Sequence, residues 1–538
     1  MNPTSVDKSV PFRSALQEYL KTASDVYVHH DPVDTEFEIT AISREAGNRL
    51  SLFEKITGYP DFQIVTNILG KLERLVYFTG SRSSEDLREK LLASLSDNSC
   101  FSGTIGAGEF APFRELTTTG DEVDLFKLPI VRHYKEDGSK LGQGRYITSG
   151  LLVSRDPANP GITNLSFSRI QPLGRNGFAF DVGSRGHTFS YVQQAMRKNF
   201  RMPITIVIGT SAVLYLLAAS FTTCEYARSR HFGSIPLVRG NLNDLPVPAD
   251  SEIVIEAELD PGVVVQEGPF AEYTGYMGFD STGNVATVKC LMRRRKAIYY
   301  DIQPSNSPEH VNIFSLPRSM MIEGEIRRMI PMAGVMKLDW PHYASRFLAL
   351  GYVKGGAPLI ATNVGIGVVS FDPLWGKIVL ISDDEIPLDI ENFLAALAQE
   401  ASGNFGRLTF FRDMFIISSD VASDSKMRSG KMLGIVSPVR YTREVSDEAL
   451  ILKTDRHRCS VSFRQDDGAD VSVIIPSDIS PWNLEQVGWV IATRVDPQRD
   501  VIIKNGKLLI SATRKPPELP TIPEEIMERA RKIVSMKK

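Results

Sequence analysis

Two carboxylates stand five residues apart in Glu267-Gly268-Pro269-Phe270-Ala271-Glu272, on either side of a Gly-Pro turn. Their neighbours are apolar or aromatic, which is an unusual setting for acids. A carboxyl group desolvated by such neighbours holds a proton more readily near neutral pH and can deliver it to a substrate. A surface β-turn with both side chains in water fits the same residues. The segment alone therefore leaves acid chemistry and a plain turn open.

The upstream segment Thr163–Gln171 alternates polar and apolar residues with the period of a β-strand. The alternation predicts that Leu165 and Phe167 share one face and that Asn164 lies on the other. Arg169 is expected on the Leu165 face, directed toward an apolar interior. A buried guanidinium is costly unless it meets an anion, either a partner carboxylate or a bound ligand.

Asn164, His187 in a Gly-rich turn, and Glu225 after an apolar segment form a candidate metal set. Two oxygens and one imidazole suit a hard divalent ion such as Mn²⁺ or Mg²⁺, whereas zinc recruits more His or Cys. Residues so far apart along the chain carry no metal signature of their own. A lone His is more often a hydrogen-bonded structural residue than a ligand, so both interpretations of His187 stay open.

In chain order, these segments resemble the UbiD family of decarboxylases, which use prenylated flavin mononucleotide (prenylated FMN). The resemblance spans roughly residues 35 to 435, and its most specific element is Glu-Gly-Pro-Phe-x-Glu at 267–272. Its other motifs are Tyr146-Ile147-Thr148, Arg155-Asp156-Pro157, Asn164 with Arg169, Gly186-His187, Glu225, Trp375-Gly376-Lys377 and Asp383-Asp384-Glu385-Ile386.

The resemblance implies that Asn164, His187 and Glu225 hold a divalent metal, Mn²⁺ or Mg²⁺, with K⁺ nearby. The metal then anchors the phosphate of the flavin. Lys377 resembles the family's phosphate-contacting lysine.

The resemblance likewise casts Arg169, Glu267 and Glu272 as the catalytic trio, with Glu272 the proton donor and Arg169 paired to Glu267 beside the cofactor. Decarboxylation of an aryl or alkenyl acid leaves a poorly stabilised carbanion, for which a modified flavin supplies an electron sink. The protein must add substrate orientation, a dry pocket and an acid. A guanidinium suits the orienting task because it binds carboxylate with planar two-point geometry.

The implied function is a carboxy-lyase: a non-oxidative, reversible decarboxylase of an aromatic, heteroaromatic or α,β-unsaturated carboxylic acid. A flavin prenyltransferase supplies the cofactor, and a homodimer or higher homo-oligomer is expected. Two alternatives stay open: a non-catalytic flavin-binding or scaffold homologue, and an ordinary flavin oxidoreductase. No redox dithiol or nicotinamide fingerprint favours the latter. The sequence leaves the substrate acid open because pocket shape decides it.

The chain-level numbers fit a large cytoplasmic enzyme of 538 residues, 42 % of them hydrophobic. A net charge of −3 gives no footprint for nucleic acid, and the basic run Arg293–Lys296 fits a solvated edge. The four cysteines are widely spaced, which argues against a disulfide framework and a cysteine metal site. The N-terminus lacks a signal-peptide layout, and Ile204–Phe221 fits a buried strand, turn and helix better than a membrane span.

The predicted fold is mixed α/β with three domains. An N-terminal α/β domain is expected over residues 1–120 and a C-terminal α/β domain over 336–538. The resemblance implies a flavin-binding split β-barrel over 121–335. Strand candidates in the barrel include Ala297–Tyr300, and Leu359–Thr362 is a strand candidate in the last domain.

Weaker predictions concern the C-terminal region and single residues. The segment 384–394 is echoed by 477–487, as a duplication or a rearranged connection. The end of the chain predicts an amphipathic helix with Ile526, Ala530 and Ile533 on one side, a candidate dimer contact or a solvated tail. His310 suits a substrate contact or, better, a structural loop residue. Met277 and Phe411 are expected in the core.

Overall fold

The computed structural model describes residues 10–100, 111–138, 143–182, 186–220, 222–278, 281–355, 358–371, 376–416, 428–516 and 518–536. The turn at 183–185 and Trp375, both used in the sequence comparison, lie outside these ranges. The chain divides into two compact units, the first comprising Met1–Glu272, Met277–Pro317 and Leu519–Lys538, the second Tyr273–Tyr276 and Arg318–Glu518. The three domains with boundaries at 120 and 335 remain a prediction.

The helices begin where the sequence supplies capping side chains or apolar faces. Ser83 caps the fourth helix by accepting a hydrogen bond from the Asp86 N–H at 3.1 Å. Acidic residues in its first turn favour the positive end of the helix dipole. The helices are α1 (Phe12–Thr22), α2 (Glu38–Glu45), α3 (Leu72–Phe78), α4 (Ser84–Ser96), α5 (His187–Lys198), α6 (Ala212–Ala218), α7 (Glu225–Arg228), α8 (Pro308–Met329), α9 (Pro358–Phe371), α10 (Ile390–Gln399), α11 (Leu484–Arg494) and α12 (Glu524–Ser535).

The first unit contains a four-stranded sheet, a large antiparallel sheet and two short hairpin-like pairs. Its strands are β1 (Val26–Val33), β2 (Leu50–Ile56), β3 (Phe62–Thr66), β4 (Leu116–Thr119), β5 (Leu151–Arg155), β6 (Thr163–Phe167), β7 (Ile170–Pro172), β8 (Gly177–Phe180), β9 (Met202–Ile208), β10 (Leu237–Arg239), β11 (Pro246–Pro248), β12 (Ile253–Glu267), β13 (Phe270–Ala271), β14 (Met277–Gly278), β15 (Ser281–Arg293) and β16 (Ala297–Asp301).

The large sheet runs in the order β6-β5-β9-β12-β15-β8-β7, with β4 also pairing with β15. All of its pairings are antiparallel. Helix α5 packs on β5, β6 and β12, and α6 and α7 pack on β6. This antiparallel sheet, with register irregularities in β12, agrees with the flavin-binding split β-barrel that the resemblance implied. This sheet and its helices carry most of the candidate site residues.

The second unit has two sheets that share one apolar core with α10 and α11. The first sheet has the order β17-β18-β19-β21-β20, and the second has the order β22-β23-β24-β25-β27-β26. The strands are β17 (Val335–Asp339), β18 (Leu348–Lys354), β19 (Ile378–Ser382), β20 (Leu408–Ile416), β21 (Arg428–Val436), β22 (Thr442–Val445), β23 (Ala449–Lys453), β24 (Arg458–Ser462), β25 (Val471–Ile474), β26 (Val501–Lys504) and β27 (Lys507–Ser511).

The echoed C-terminal segments adopt the same local structure. Each copy runs from a parallel strand through a loop into a helix, β19 to α10 and β25 to α11. Each helix starts at a side-chain cap, Asp389 accepting from Asn392 N–H and Asn483 from Gln486 N–H. The sequence echo therefore marks a repeated strand-loop-helix unit.

Two predicted strands were misassigned. Ala297–Tyr300 was expected in the barrel, but β16 pairs in parallel with β3 in the N-terminal four-stranded sheet. A short apolar run shows only that a strand is buried, and it does not identify its partner. Leu359–Thr362 was expected to be a strand, but it lies inside α9, because short apolar runs fit buried helices equally well.

The predicted buried strand, turn and helix of Ile204–Phe221 are confirmed as β9 and α6, with Phe221 itself outside the described residues. Within the described ranges, every helix is too short or too polar to span a bilayer.

The predicted solvated edge at the basic run holds only for Arg295 and Lys296, which are exposed. Arg293 pairs with Asp61 at 3.2 Å, and the Arg294 side chain lies 3.4 Å from buried Glu252. Half of the run is therefore tied into the fold by ion pairs.

The terminal helix α12 packs on α2 within the same unit. Its buried residues are Ala530 and Val534, and Ile533 is only half-buried. Arg529 pairs with Glu38 of α2 at 2.6 Å. A freely solvated tail is therefore wrong, whereas a dimer contact by the outer face stays a prediction.

Candidate functional site

Arg169 lies in the two-residue link between β6 and β7, where its guanidinium meets both acids of the Gly-Pro turn. Its Nε and Nη2 each lie 2.8 Å from Oε2 of Glu267, and its Nη1 donates to Oε1 of Glu272. Oδ2 of Asp181 lies 3.8 Å from Nη2. The plain surface turn is therefore wrong for this segment, and the anion expected for Arg169 is a pair of carboxylates from its own chain.

The strand alternation correctly predicted an anionic partner for Arg169, but it wrongly placed Arg169 on a face of the strand. Strand β6 ends at Phe167, so Arg169 belongs to neither of its faces. Asn164 and Ser166 do share a face, because both side chains contact Thr188.

The burial of the trio is uneven, with side-chain exposures of 10 % for Arg169, 0 % for Glu267 and 17 % for Glu272. Burial alone lowers the pKa of Arg169, but the charges of Glu267, Glu272 and Asp181 outweigh it and raise that pKa. The guanidinium also lies 5.5 Å from the ring centre of Phe270. Of the two acids of the Gly-Pro turn, Glu272 is therefore the one with more access to a ligand.

The two acids are held by the backbone between them. Glu267 ends β12, and Gly268 follows with a φ of +108°, a conformation that favours glycine. Phe270 and Ala271 form β13, which pairs with β14. The ring of Tyr146 lies 4.7 Å from that of Phe270, and burial followed by the charge of Glu267 raises the pKa of Tyr146. The side chains of Glu267 and Glu272 therefore extend from a short turn that packs on apolar residues, and both meet the guanidinium of Arg169.

Asn164, His187 and Glu225 are brought together through their neighbours. Oε2 of Glu225 accepts a hydrogen bond from the Leu165 N–H at 2.8 Å, next to Asn164. Nδ2 of Asn164 donates to Oγ1 of Thr188 at 3.0 Å, next to His187. The structure therefore gathers at one end of β6 three residues that the sequence separates.

Glu225 is buried and only partly satisfied. Its exposed fraction is 1 %, and Oε1 makes no hydrogen bond to a described residue. Burial raises the pKa of Glu225 to about 8. The guanidinium of neighbouring Arg228 donates instead to the carbonyls of Thr223, Ser94 and Leu95. A bound cation would satisfy this carboxylate, so the residues present fit a metal ion.

The remaining donors suit the same ion. Partial burial, followed by the charge of Arg228, lowers the pKa of His187, which favours the neutral imidazole that a metal binds. The described residues contain no cluster of three or more His, Cys, Asp or Glu side chains arranged for a metal. Binding here therefore depends on the amide of Asn164.

A disulfide lies beside this set and contradicts the expectation of no disulfide. Cys100 and Cys224, which precedes Glu225, are bonded with their Cα atoms 5.1 Å apart. Spacing along the chain failed as a guide because contacts of Arg228 with the end of α4 bring residues 124 apart together. Cys290 and Cys459 are buried thiols, as expected for structural cysteines.

Lys377 lies in the second unit, whereas the other six candidate site residues lie in the first. It is buried, and its Nζ lies 5.2 Å from the ring centre of Phe347. Burial lowers the pKa of Lys377 to about 7, although Asp496 opposes the shift. Its phosphate contact stays a prediction.

The weaker predictions for His310, Met277 and Phe411 have different outcomes. Nδ1 of His310 lies 2.8 Å from the carbonyl oxygen of Ser305, which fits a structural role, but His310 lies in the first turn of α8 and not in a loop. Met277 is buried, as expected, and Phe411 packs partly buried against an apolar core of the second unit.

Sequence reasoning missed Asp181 and Asp137. Asp181 follows β8 and has no motif around it. Asp137 is buried and accepts a hydrogen bond from the Ala271 N–H at 3.1 Å. The two residues of this contact are more than a hundred positions apart, so no local motif marks Asp137.

Comparison with known families decides the relationship. The model of the 3-octaprenyl-4-hydroxybenzoate carboxy-lyase Rift-related domain, UbiD, matches residues 107–307, and that of the N-terminal domain of the same carboxy-lyase matches residues 18–93. Together they cover just over half of the chain. The chain belongs to the UbiD family of carboxy-lyases. The predicted family, the mixed α/β fold and the class of enzyme are thereby confirmed.

Individual relatives of this UbiD-family chain are distant. Anhydromevalonate phosphate decarboxylase of Methanothermobacter thermautotrophicus is 25 % identical over 394 residues, which cover 71 % of this chain and 87 % of the relative. The UbiD-class enzyme HmfF from Pelotomaculum thermopropionicum, solved with FMN, is 26 % identical with a TM-score of 0.71, covering 80 % of this chain and 94 % of HmfF. An evolved dimeric form of HmfF, solved with prFMN, is 24 % identical to this chain with a TM-score of 0.69. The match covers 81 % of this chain and 96 % of the HmfF chain, and it shows that the two share a fold.

Proposed function

We propose that this chain is a non-oxidative, reversible decarboxylase of an aromatic, heteroaromatic or α,β-unsaturated carboxylic acid that uses prenylated FMN. The observation that carries the proposal is the guanidinium of Arg169 held between Glu267 and Glu272 in a largely buried cluster. A decarboxylase relative and the FMN and prFMN complexes of HmfF support it. When bound, the prenylated flavin supplies the electron sink that the reaction requires.

Asn164, His187 and Glu225 are the proposed ligands of Mn²⁺ or Mg²⁺, with K⁺ nearby, against the flavin phosphate. The half-satisfied, buried Glu225 carboxylate supports a cation at this point. Mixed oxygen and imidazole donors favour a hard ion.

Arg169 orients the substrate. Its planar fork stays charged at working pH and presents N–H groups that match a carboxylate. Its contacts with Glu267 hold the fork in place before substrate arrives, which reduces the entropy lost on binding.

Glu272 is the proposed proton donor. In decarboxylation the bond between carbon and the carboxylate breaks, its electron pair stays with the carbon, and CO₂ leaves. A proton from Glu272 then forms the new C–H bond, and solvent restores the proton. One guanidinium faces three carboxylates in this cluster, so a proton on one of them lowers the excess negative charge. The greater exposure of Glu272 than of Glu267 favours Glu272 for the transfer.

The apolar residues beside the trio favour loss of the substrate's charge. Phe270 and Tyr146 are buried next to Arg169, and they exclude water from the carboxylate that must become neutral CO₂. A planar unsaturated acid suits aromatic surroundings of this kind.

The proposal is tested on protein made together with a flavin prenyltransferase. We expect mass spectrometry of the released ligand to find prenylated FMN, and CO₂ release from at least one member of a panel of benzoic, furoic and cinnamic acids. Glu272→Gln should abolish turnover and keep flavin and metal, whereas Glu258→Gln, a half-exposed acid on the same sheet, should behave as wild type. Bound flavin with no turnover of any acid would favour a non-catalytic flavin-binding scaffold. Unmodified FMN with oxidoreductase activity would favour an ordinary flavin oxidoreductase.

We further propose that the enzyme works in the cytoplasm as a homodimer or larger homo-oligomer supplied by the prenyltransferase. The dimeric form of HmfF supports an oligomer. Light scattering after size-exclusion chromatography measures the mass, and a 59.7 kDa species alone would contradict it.

A further inference from the structure

Asp137 is a buried acid that the proposed reaction does not use. Its exposed fraction is 0 %, and both carboxylate oxygens accept backbone hydrogen bonds. Oδ1 accepts from the Ala271 N–H at 3.1 Å and Oδ2 from the Tyr134 N–H at 3.2 Å. Asp137 makes no ion pair with a described Lys or Arg. A buried carboxylate without a cation costs stability, so a requirement beyond folding is indicated.

The residue after Asp137 contacts the same turn. The N–H of Gly138 donates to the carbonyl of Pro269 at 2.8 Å. Asp137 and Gly138 therefore hold Ala271 and Pro269, which lie between Glu267 and Glu272. From the other side the Ser305 N–H donates to the carbonyl of Ala271 at 3.1 Å. Glu272 is thus attached to a residue fixed at both its N–H and its carbonyl.

The same loop contacts the strand after Arg169. Gly138 has a φ of +55°, and a Cβ placed on it would lie 2.5 Å from Nε2 of Gln171 in β7. Gln171 is two residues beyond Arg169. The Asp137-Gly138 loop therefore lies between the chain that carries the guanidinium and the chain that carries the acids.

We propose that Asp137 is a positioning residue that sets Glu272 against Arg169 through the backbone N–H of Ala271. The inference rests on the proposed decarboxylase function and names a residue outside the catalytic trio and the metal set. Loss of this anchor lets the turn shift, and a misplacement of about 1 Å in a catalytic group costs about 10²-fold in rate. Substrate and cofactor binding depend on other residues.

The test compares Asp137→Ala, which removes both acceptors, with Asp137→Asn, which keeps one oxygen for the Ala271 N–H. With the acid that wild type turns over fastest in the panel, we expect kcat to fall about 10²-fold in the Ala variant and about 10-fold in the Asn variant. KM and flavin content should stay within about twofold of wild type. Hydrogen exchange of the peptide covering 268–272 should be faster in the Ala variant, with partial restoration in the Asn variant.

Glu256→Gln is the matched control. Glu256 is equally buried in the same unit and accepts backbone hydrogen bonds from Asn241 and Leu242, but it contacts no residue of the acid turn. It should lower the melting temperature without changing kcat.

The outcomes separate two failures. Wild-type kcat in Asp137→Ala would overturn the positioning role, as would an equal fall of kcat in the Glu256→Gln control. Wild type that releases no CO₂ from any acid overturns the proposed function instead. If the Ala variant does not fold, the Asn variant decides, because unchanged kcat and unchanged exchange at 268–272 would overturn the inference.

Discussion

The catalytic trio and the metal set differ in how the chain satisfies their charges. Arg169 is surrounded by carboxylates of its own chain, so this cluster is held together without a ligand. Glu225 is just as buried, but it makes no ion pair with a described Lys or Arg, and burial raises its pKa to about 8. The trio is therefore held by charges of the chain itself, whereas the proposed metal set lacks a counter-charge within the described chain.

The largest expected effect comes from Glu225→Ala, which removes the carboxylate that we propose binds the metal ion. We expect the purified variant to keep less than about a tenth of the wild-type metal and flavin, since even supporting contacts of a metal site are worth 10–100-fold in affinity. Elemental analysis and flavin absorbance measure both. Glu256→Ala, a buried acid elsewhere in the sheet, should retain them. Wild-type metal and flavin content in Glu225→Ala would contradict the proposed metal role of Glu225. The two regions would then not differ in their need for a cation.

Arg169→Met tests the opposite region by removing the internal counter-charge. It leaves Glu267 buried beside Glu272, so we expect the free energy of unfolding to fall by about 3–5 kcal/mol. Urea unfolding of the cofactor-free protein measures the loss.

Two further variants place limits on this result. Adding Glu267→Gln and Glu272→Gln to Arg169→Met should recover most of the stability, because no buried charge then lacks a partner. Lys354→Met, which breaks an ion pair exposed on both sides, should lower stability far less than Arg169→Met does, because solvent screens exposed charges. Equal losses for Arg169→Met and Lys354→Met would mean that the trio is not held by its charges.

The sequence predicted which residues come together in the two regions better than it predicted their surroundings. The Glu-Gly-Pro-Phe-x-Glu element supplied Glu267 and Glu272, and Asn164 was found with the Arg five residues after it. His187 and Glu225 were found from a Gly-His pair and from an acidic residue after an apolar segment. The structure brings these residues together in the first unit as two groups, the catalytic trio and the metal set. These are short motifs whose residue types are fixed by the task. Asp137 and Asp181 escaped because their partners are more than a hundred and about ten residues away respectively, and contact over such distances has no local pattern.

The errors within the correctly predicted fold class have the same cause. β16 was placed in the barrel because apolar runs show burial but not pairing. The Cys100–Cys224 bridge was rejected because spacing in sequence is a poor measure of distance in a fold where Arg228 ties the end of α4 to α7. By contrast, the start of α4 at its Ser83 cap depends on residues that are close together in the sequence.

The variant Cys100→Ser tests the disulfide beside the proposed metal set, because Cys224 directly precedes Glu225. The bridge closes a loop of more than a hundred residues, so its loss should lower stability by about 2–4 kcal/mol. Thermal melting of protein purified without reductant measures the shift. Dithiothreitol should shift wild type similarly and leave Cys100→Ser unchanged. Wild type that dithiothreitol does not shift contains two thiols, as the reducing cytoplasm predicted for this chain would favour.

The smallest effect concerns Asp137, a buried acid on the catalytic side that resembles Glu225 in lacking an ion-pair partner among the described residues. Burial raises the pKa of Asp137 to about 7, with His133 opposing and Glu136 adding to the shift. An unfolded Asp has a pKa of about 3.9. Between these values the unfolded state loses its proton first, so the contribution of Asp137 to stability falls as pH rises from about 4 to 7 and is flat above.

Asp137→Asn removes this titration and leaves His133 and Glu136 in place. The melting temperature of the variant minus that of wild type should therefore rise from pH 5 to pH 8, by about 2–4 °C for each kcal/mol of difference. Glu256→Gln supplies the comparison for a buried acid away from the turn. A difference that stays constant across this range would show that Asp137 is ionised throughout, and the catalytic side would then satisfy even this acid within the chain, in contrast with Glu225.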